Sequence, residues 1–133
     1  ILTIHYEVCK EDLDKIINQI RKYNMKVGVA INPDTPTKVL EKYLSKIDLI
    51  CLMGVFPGFS GQKFIENTYS RCLEIKKLRE IAKSKCLIQV DGGVTIDNVK
   101  KLIENGADVL VSGSHIFKDI NPTKKISDLK NIL

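Results

Sequence analysis

LIQVDGGVTIDNVKKLI, residues Leu87 to Ile103, places an apolar strand-like run, a carboxylate, two glycines and an amphipathic run in immediate succession. LIQVD (87–91) is short, apolar and rich in strand formers, as expected of a strand buried on both faces. Val99, Leu102 and Ile103 then recur at helical spacing. Thr95 stands where a helix N-cap belongs, and Asp97 falls in the positive first turn. The stretch therefore reads as one strand–turn–helix unit whose turn carries Asp91, Gly92 and Gly93.

The same unit recurs along all 133 residues. Strand-like runs are LTIH (2–5), KVGVAI (26–31), LICLM (49–53), LIQVD (87–91) and VLVSG (109–113). Helical spacing links Leu13, Ile16, Ile17, Ile20 and Tyr23, then Val39, Leu40, Tyr43 and Leu44. It also links Tyr69, Cys72, Leu73, Leu78 and Ile81, and finally Ile126, Leu129 and Leu133. Thr35-Pro36 predicts an N-cap followed by proline at the first helical position. ENGAD (104–108) predicts a glycine stop. Five β-α repeats at crossover spacing predict an α/β fold with parallel strands. Two architectures satisfy that pattern: an open doubly wound sheet, or part of a (βα)8 barrel. No linker divides the chain, so 1–133 reads as a single domain.

Composition narrows the function classes. The chain is 44% hydrophobic and 28% charged, with net charge +5. No apolar run approaches the roughly 20 residues of a membrane span, which argues against a membrane protein. Lysines spread over helix faces, and no basic run is interleaved with aromatics, so nucleic acid is not the expected partner. Cys9, Cys51, Cys72 and Cys86 show no metal-ligand spacing and are expected to be reduced thiols in a cytoplasmic protein. The first residues lie inside a strand-like run without a methionine, which reads as a chain whose upstream part is absent.

In either fold, chemistry gathers at the C-terminal ends of the strands. There stand His5 with Glu7, Asn32, Met53 with the PGFSGQ loop, Asp91-Gly92-Gly93, and Ser112-Gly113-Ser114. The opposite loops, KYNMK, SKID, AKSKC and ENGAD, read as plain connectors. A glycine pair lets a phosphate approach the backbone, and a following helix N-terminus adds free N–H groups. VSGSHIF at the next strand end has the same build and ends in a short helix. A single such turn also serves as a plain turn; two consecutive ones favour a phosphate site. PGFSGQKF reads as a mobile lid, or else as an Ω-loop closed by Phe56, Phe59 and Phe64. Asp91 reads as a metal ligand or proton carrier, with a helix-capping acid as the plainer alternative. His5 reads as a hydrogen-bonded support, His115 as a merely exposed residue, and Met53 as core filler.

TIHYE, GVAINPDTP, LMGVFPGFSGQKF, QVDGGVTIDN and GADVLVSGSHIF resemble, in order and spacing, the D-ribulose-5-phosphate 3-epimerases. The resemblance covers the whole chain. It implies a (βα)8 barrel, here its strands four to eight, and epimerisation of D-ribulose 5-phosphate at C3 through an enediolate. It implies one divalent metal ion (zinc, iron, manganese or cobalt) and a small phosphorylated sugar as substrate. It also implies a homo-oligomer at full length. Asp91 matches a metal ligand that is also one of two acid/base aspartates. Gly92, Gly93, Gly113 and Ser114 match the phosphate site. Gly58, Phe59, Ser60 and Gly61 match the substrate-covering loop. The other aspartate and three metal ligands belong to the first three strands. Ser60 replaces a usual glycine, Gly54 a usual Ser or Thr, and His115 a usual Ala. A hexulose-6-phosphate 3-epimerase, another phosphate-barrel isomerase or decarboxylase, and a non-catalytic phosphate-binding α/β module remain alternatives. Five strands leave two open sheet edges, so the 133 residues alone are expected to aggregate or fold poorly. A cooperative melt of that chain by itself would overturn this.

Overall fold

A computed structural model describes residues 1–132, so Leu133, expected to end the last helical stripe, lies outside the described residues. Five parallel strands, β1 (Leu2–His5), β2 (Val27–Ile31), β3 (Leu49–Met53), β4 (Leu87–Asp91) and β5 (Val109–Val111), pair in sequence order. Helices α1 (Tyr6–Cys9), α2 (Leu13–Lys22), α3 (Thr68–Ile81), α4 (Ile96–Glu104), α5 (Ser114–Phe117) and α6 (Pro122–Lys130) lie between and after them, with a 3-10 helix at Thr37–Tyr43.

The strand order separates the two architectures. A doubly wound sheet reverses its order at a switch point and covers both faces with helices. Here every strand pairs with the next, and the register advances without a break from Leu2↔Val27 to Asp91↔Val111. One face alone carries the main core. Val27, Val29, Ile31, Ile50, Leu52, Ile88 and Val90 point to it and pack against Leu13, Ile17, Leu40, Cys72 and Leu102 from the helical layer. The other face holds only a small cluster of Ala30, Leu49, Cys51 and Met53. This is an arc of a barrel, with helices outside and a concave inner face.

The strands are accordingly less uniform than their sequences imply. All of β2 is buried, as is β3 up to Met53, but β4 alternates. Leu87 on the inner face is 41% exposed because the arc does not close over it. β5 ends at Val111, so Ser112 and Gly113 belong to the turn.

Three local readings change. The helical run from Val39 to Leu44 falls in a 3-10 helix, Thr37–Tyr43, rather than an α-helix, with Pro36 at its N-cap and Leu44 at its C-cap. Thr35 does not cap it, because the Thr35 hydroxyl donates to Glu7 Oε1 instead. On α3, Leu73 and Ile81 are exposed, whereas Arg71 and Ile75 turn inward. α1 carries no helical signal in the sequence.

The loops at the N-terminal ends of the strands are more than connectors. Asp48 Oδ2 accepts the Val27 N–H at 2.8 Å and pairs with Arg21 at 2.8 Å. Asp108 Oδ2 accepts the Ile88 N–H at 2.8 Å and pairs with Arg79. Each aspartate closes the first rung of the neighbouring strand, which suits the stability-bearing end of a barrel. Cys51, Cys72 and Cys86 are buried and unpaired; burial pushes the Cys51 and Cys72 thiols up to about 11. They stay protonated at neutral pH and are poor nucleophiles.

Candidate functional site

The C-terminal ends of β3, β4 and β5 bring the predicted residues together. Asp91 ends β4 on the inner face, in register with Met53 on β3 and Val111 on β5. A cavity of about 250 Å³ opens over it, walled by the loop from Val55 to Gln62, by Gly92 and Gly93, and by Gly113 and Ser114. Gly58, Phe59, Ser60, Gly61, Asp91, Gly92, Gly93, Gly113 and Ser114 all line this cavity, whereas His5, Glu7, Asn32 and Ser112 do not. Met53 lines it too and is only half-buried, so it is more than core filler.

Asp91 is half-buried, and its carboxylate takes part in no hydrogen bond or ion pair among the described residues. It does not cap α4. That helix has a capping box of its own, in which Asn98 Oδ1 accepts the Thr95 N–H at 2.9 Å and the Thr95 side chain faces the Asn98 N–H. Burial pushes the Asp91 carboxyl above the ordinary carboxylate range, with no nearby cation to offset it. An acid held this way can carry a proton or receive a cation.

The phosphate-cradle expectation changes in one respect. The α4 N-terminus does not offer a set of free N–H groups. Thr95 N–H is taken by Asn98, and Ile96 N–H is accepted by His115 Nε2 at 3.3 Å. What is left of the expected cradle is the turn itself, Gly92 and Gly93, with Gly113 and Ser114 beside it. His115, expected to be idle, is the residue that closes the helix end.

The covering loop is stapled rather than closed by its own phenylalanines. Phe56 and Phe59 are 46% and 75% exposed, and only Phe64 packs inward, against Tyr69 with ring centroids 5.1 Å apart. Gln62 Nε2 donates to the carbonyls of Phe56 and Phe59 at 2.7 and 2.9 Å and holds the loop's shape. The role of Gln62 had no signal in the sequence beyond the motif that contains it. Gly58 and Gly61 take positive φ, while Ser60 does not, so serine at 60 adds no backbone strain. Gly54 donates its N–H to Asp91 O and accepts from Ile65 N–H, and a Cβ there would stand 2.3 Å from Gly92 O. The usual hydroxyl residue does not fit this position.

His5 and Glu7 act as a support at the far side of the mouth. His5 Nδ1 lies 3.3 Å from Glu7 Oε2, and Glu7 Oε1 accepts from Asn32 N–H at 2.7 Å and from the Thr35 hydroxyl. Arg71 reaches the same place from α3 and donates to the carbonyls of Asn32 and Thr35 at 2.8 and 2.9 Å. Burial raises the Glu7 carboxyl, but the hydrogen bonds from Asn32, Thr35 and His5 outweigh it, and the net shift is downward. A depressed carboxyl contributes stability above its unfolded value and loses it as pH falls through the folded one. Glu7→Gln is thus expected to lose about 1–2 kcal/mol at neutral pH. The deficit should shrink in acid, as read from urea melts at both pH values.

Among the described residues, no group of three His, Cys, Asp or Glu side chains could hold a metal ion. Asp91 fits as one donor, and His5 is engaged by Glu7, so these residues do not make a metal site by themselves.

The sequence profile of the ribulose-phosphate 3 epimerase family matches residues 1–117. The chain belongs to that family. It is 41% identical over 133 residues to the ribulose-phosphate 3-epimerase of Buchnera aphidicola subsp. Baizongia pistaciae, covering all of this chain and 58% of that protein. It is 40% identical over 131 residues to the Bacillus subtilis ribulose-phosphate 3-epimerase, covering 98% of this chain and 60% of that protein. The chain thus spans about three fifths of the length of these relatives. In fold it is similar to 3-hexulose-6-phosphate synthase from Salmonella typhimurium, with a TM-score of 0.72 at 19% identity over 98% of this chain and 60% of that one. That likeness supports the barrel arc.

Proposed function

We propose that this family member contributes half of a ribulose-phosphate 3-epimerase active site. Its Asp91 would be one of two acid/base groups that invert C3 of D-ribulose 5-phosphate. The observation that carries the reading is the unpartnered, half-buried Asp91 carboxylate in one cavity with both glycine turns and the covering loop.

Epimerisation at C3 removes a proton next to the C2 ketone and returns one to the opposite face. The hydrogen is weakly acidic, so a positioned base and stabilisation of the enediolate are both needed. Asp91, at the rim of the inner face, takes or gives the proton on one side. Gly92, Gly93, Gly113 and Ser114 hold the phosphate by backbone contacts and so fix the sugar against Asp91. The loop with Gly58, Phe59, Ser60 and Gly61 covers the substrate and excludes water. Among the described residues no second carboxylate lines the cavity, so in this reading the opposing acid would come from outside them. A divalent ion held by Asp91 with donors outside this chain would supply Lewis-acid stabilisation of the enediolate.

The test is conversion of D-ribulose 5-phosphate to D-xylulose 5-phosphate by the full-length protein, followed by a coupled assay. Turnover at ordinary enzymatic rates supports the reading; binding without C3 exchange, checked by deuterium uptake from solvent, overturns it.

A further inference from the structure

A second cavity, of about 450 Å³, adjoins the first and shares Gly61, Gln62, Gly93, Val94 and Ser114 with it. Its remaining charged or titratable lining is Lys63, His115 and Lys118, and among the described residues no Asp or Glu faces it. The first cavity has the opposite character, with Asp91 as its one charged side chain. A substrate lying across the shared wall meets the acid at one end and cations at the other. That polarity assigns the sugar carbons to the Asp91 side and the phosphate to the lysine side.

The two lysines reach the cavity from different elements. Lys63 ends the covering loop, next to Gln62, which staples it. Lys118 follows α5, and its Nζ lies 3.1 Å from the point where a Cβ on Gly61 would stand, so it rests on the loop. Neither lysine forms an ion pair among the described residues, whereas Asp119, beside Lys118, is held by Lys125 at 3.5 Å and by the Asn121 N–H. His115 adds no N–H from its Nε2 edge, which is accepting from Ile96.

We propose that Lys118 and Lys63 form a two-sided clamp on the substrate phosphate, which ties the covering loop to the glycine cradle. The assignment rests on the epimerase reading for the substrate but not for the anion. Two cations held apart with no counter-ion are drawn to one dianion, and the backbone cradle next to them is neutral. Binding the dianion cancels their mutual repulsion and fixes the loop at both Gly61 and Lys63. The covering loop would then answer to phosphate rather than to the sugar.

The experiment uses the full-length protein. Lys118→Ala should raise KM for D-ribulose 5-phosphate about tenfold, the size of one charge-assisted contact, with kcat changed about twofold or less. Lys118→Arg should recover most of the loss. Independently of turnover, inorganic phosphate should slow tryptic cleavage after Lys63 in the wild type, and markedly less in Lys118→Ala. An unchanged KM in Lys118→Ala, or equal phosphate protection in both proteins, overturns the clamp. If the wild type does not epimerise yet phosphate protects it and not Lys118→Ala, the clamp stands and the epimerase reading falls.

Discussion

Asp91→Asn is expected to lower kcat of the full-length protein by roughly 10³–10⁴-fold, the upper range for loss of a positioned acid or base. Asparagine keeps the shape and has no proton to exchange. The structure gives Asp91 no other task, since its side chain makes no hydrogen bond or ion pair among the described residues and α4 is capped without it. In the metal-free protein, stripped with a chelator, the same change should stabilise the fold at neutral pH. Burial raises the folded pKa of Asp91 above its unfolded value. The folded state therefore binds a proton more readily, and stability falls as pH rises through that window. A side chain that cannot ionise escapes the penalty, so the variant's gain in melting temperature is present at neutral pH and absent in acid. Paired kinetics and thermal melts check both halves. Retained kcat would remove Asp91 from the proton path, and a variant that melts lower at neutral pH would show that the carboxylate is a support.

Gly93→Ala is expected to destabilise the protein by on the order of 2–4 kcal/mol, the sum of left-handed strain and overpacking. Gly93 has φ +68°, and a Cβ there would stand 2.8 Å from Phe64 Cα and 3.0 Å from Phe64 N. Those are backbone atoms and cannot rotate away. Phe64 closes the covering loop against Tyr69, so a displaced Phe64 shifts the loop relative to the Gly92-Gly93 turn. KM for the phosphorylated sugar should therefore rise together with the loss of stability. Gly113→Ala is the control for stability, with φ −107° and nothing within 4 Å of the added methyl. It should change unfolding free energy by no more than about 0.5 kcal/mol. Equal costs at the two positions, measured in urea, would show that Phe64 yields and that the turn and loop are not coupled.

The residues of the candidate site were legible because its parts are local. Asp91-Gly92-Gly93 and Gly113-Ser114 each follow a strand whose pattern needs only a few residues to recognise. What they share, one cavity, follows once strands are parallel and adjacent. Thr35 shows where local reading ends. Its place before Pro36 has the form of an N-cap, yet a carboxylate from another βα unit, Glu7, takes its hydroxyl. His115 departs from the family pattern and looks idle in sequence, because its partner, Ile96 N–H, lies in another βα unit. Asp48 and Asp108 sit in loops that read as filler, and only strand pairing shows that each closes a neighbour's first rung.

The amino-acid order alone specified the five strands, the helices α2 to α6, the polar end of the sheet and the acid in it. Each of these depends on hydrophobic period and turn chemistry within one unit. Doubly wound sheet and barrel arc share those local patterns, so the choice between them lay in which strand neighbours which and which face the helices cover. The placement of Lys118 over Gly61 was likewise invisible in one dimension. Both depend on contacts between units far apart in the chain, where packing of the whole layer, and not any segment's preference, selects the arrangement.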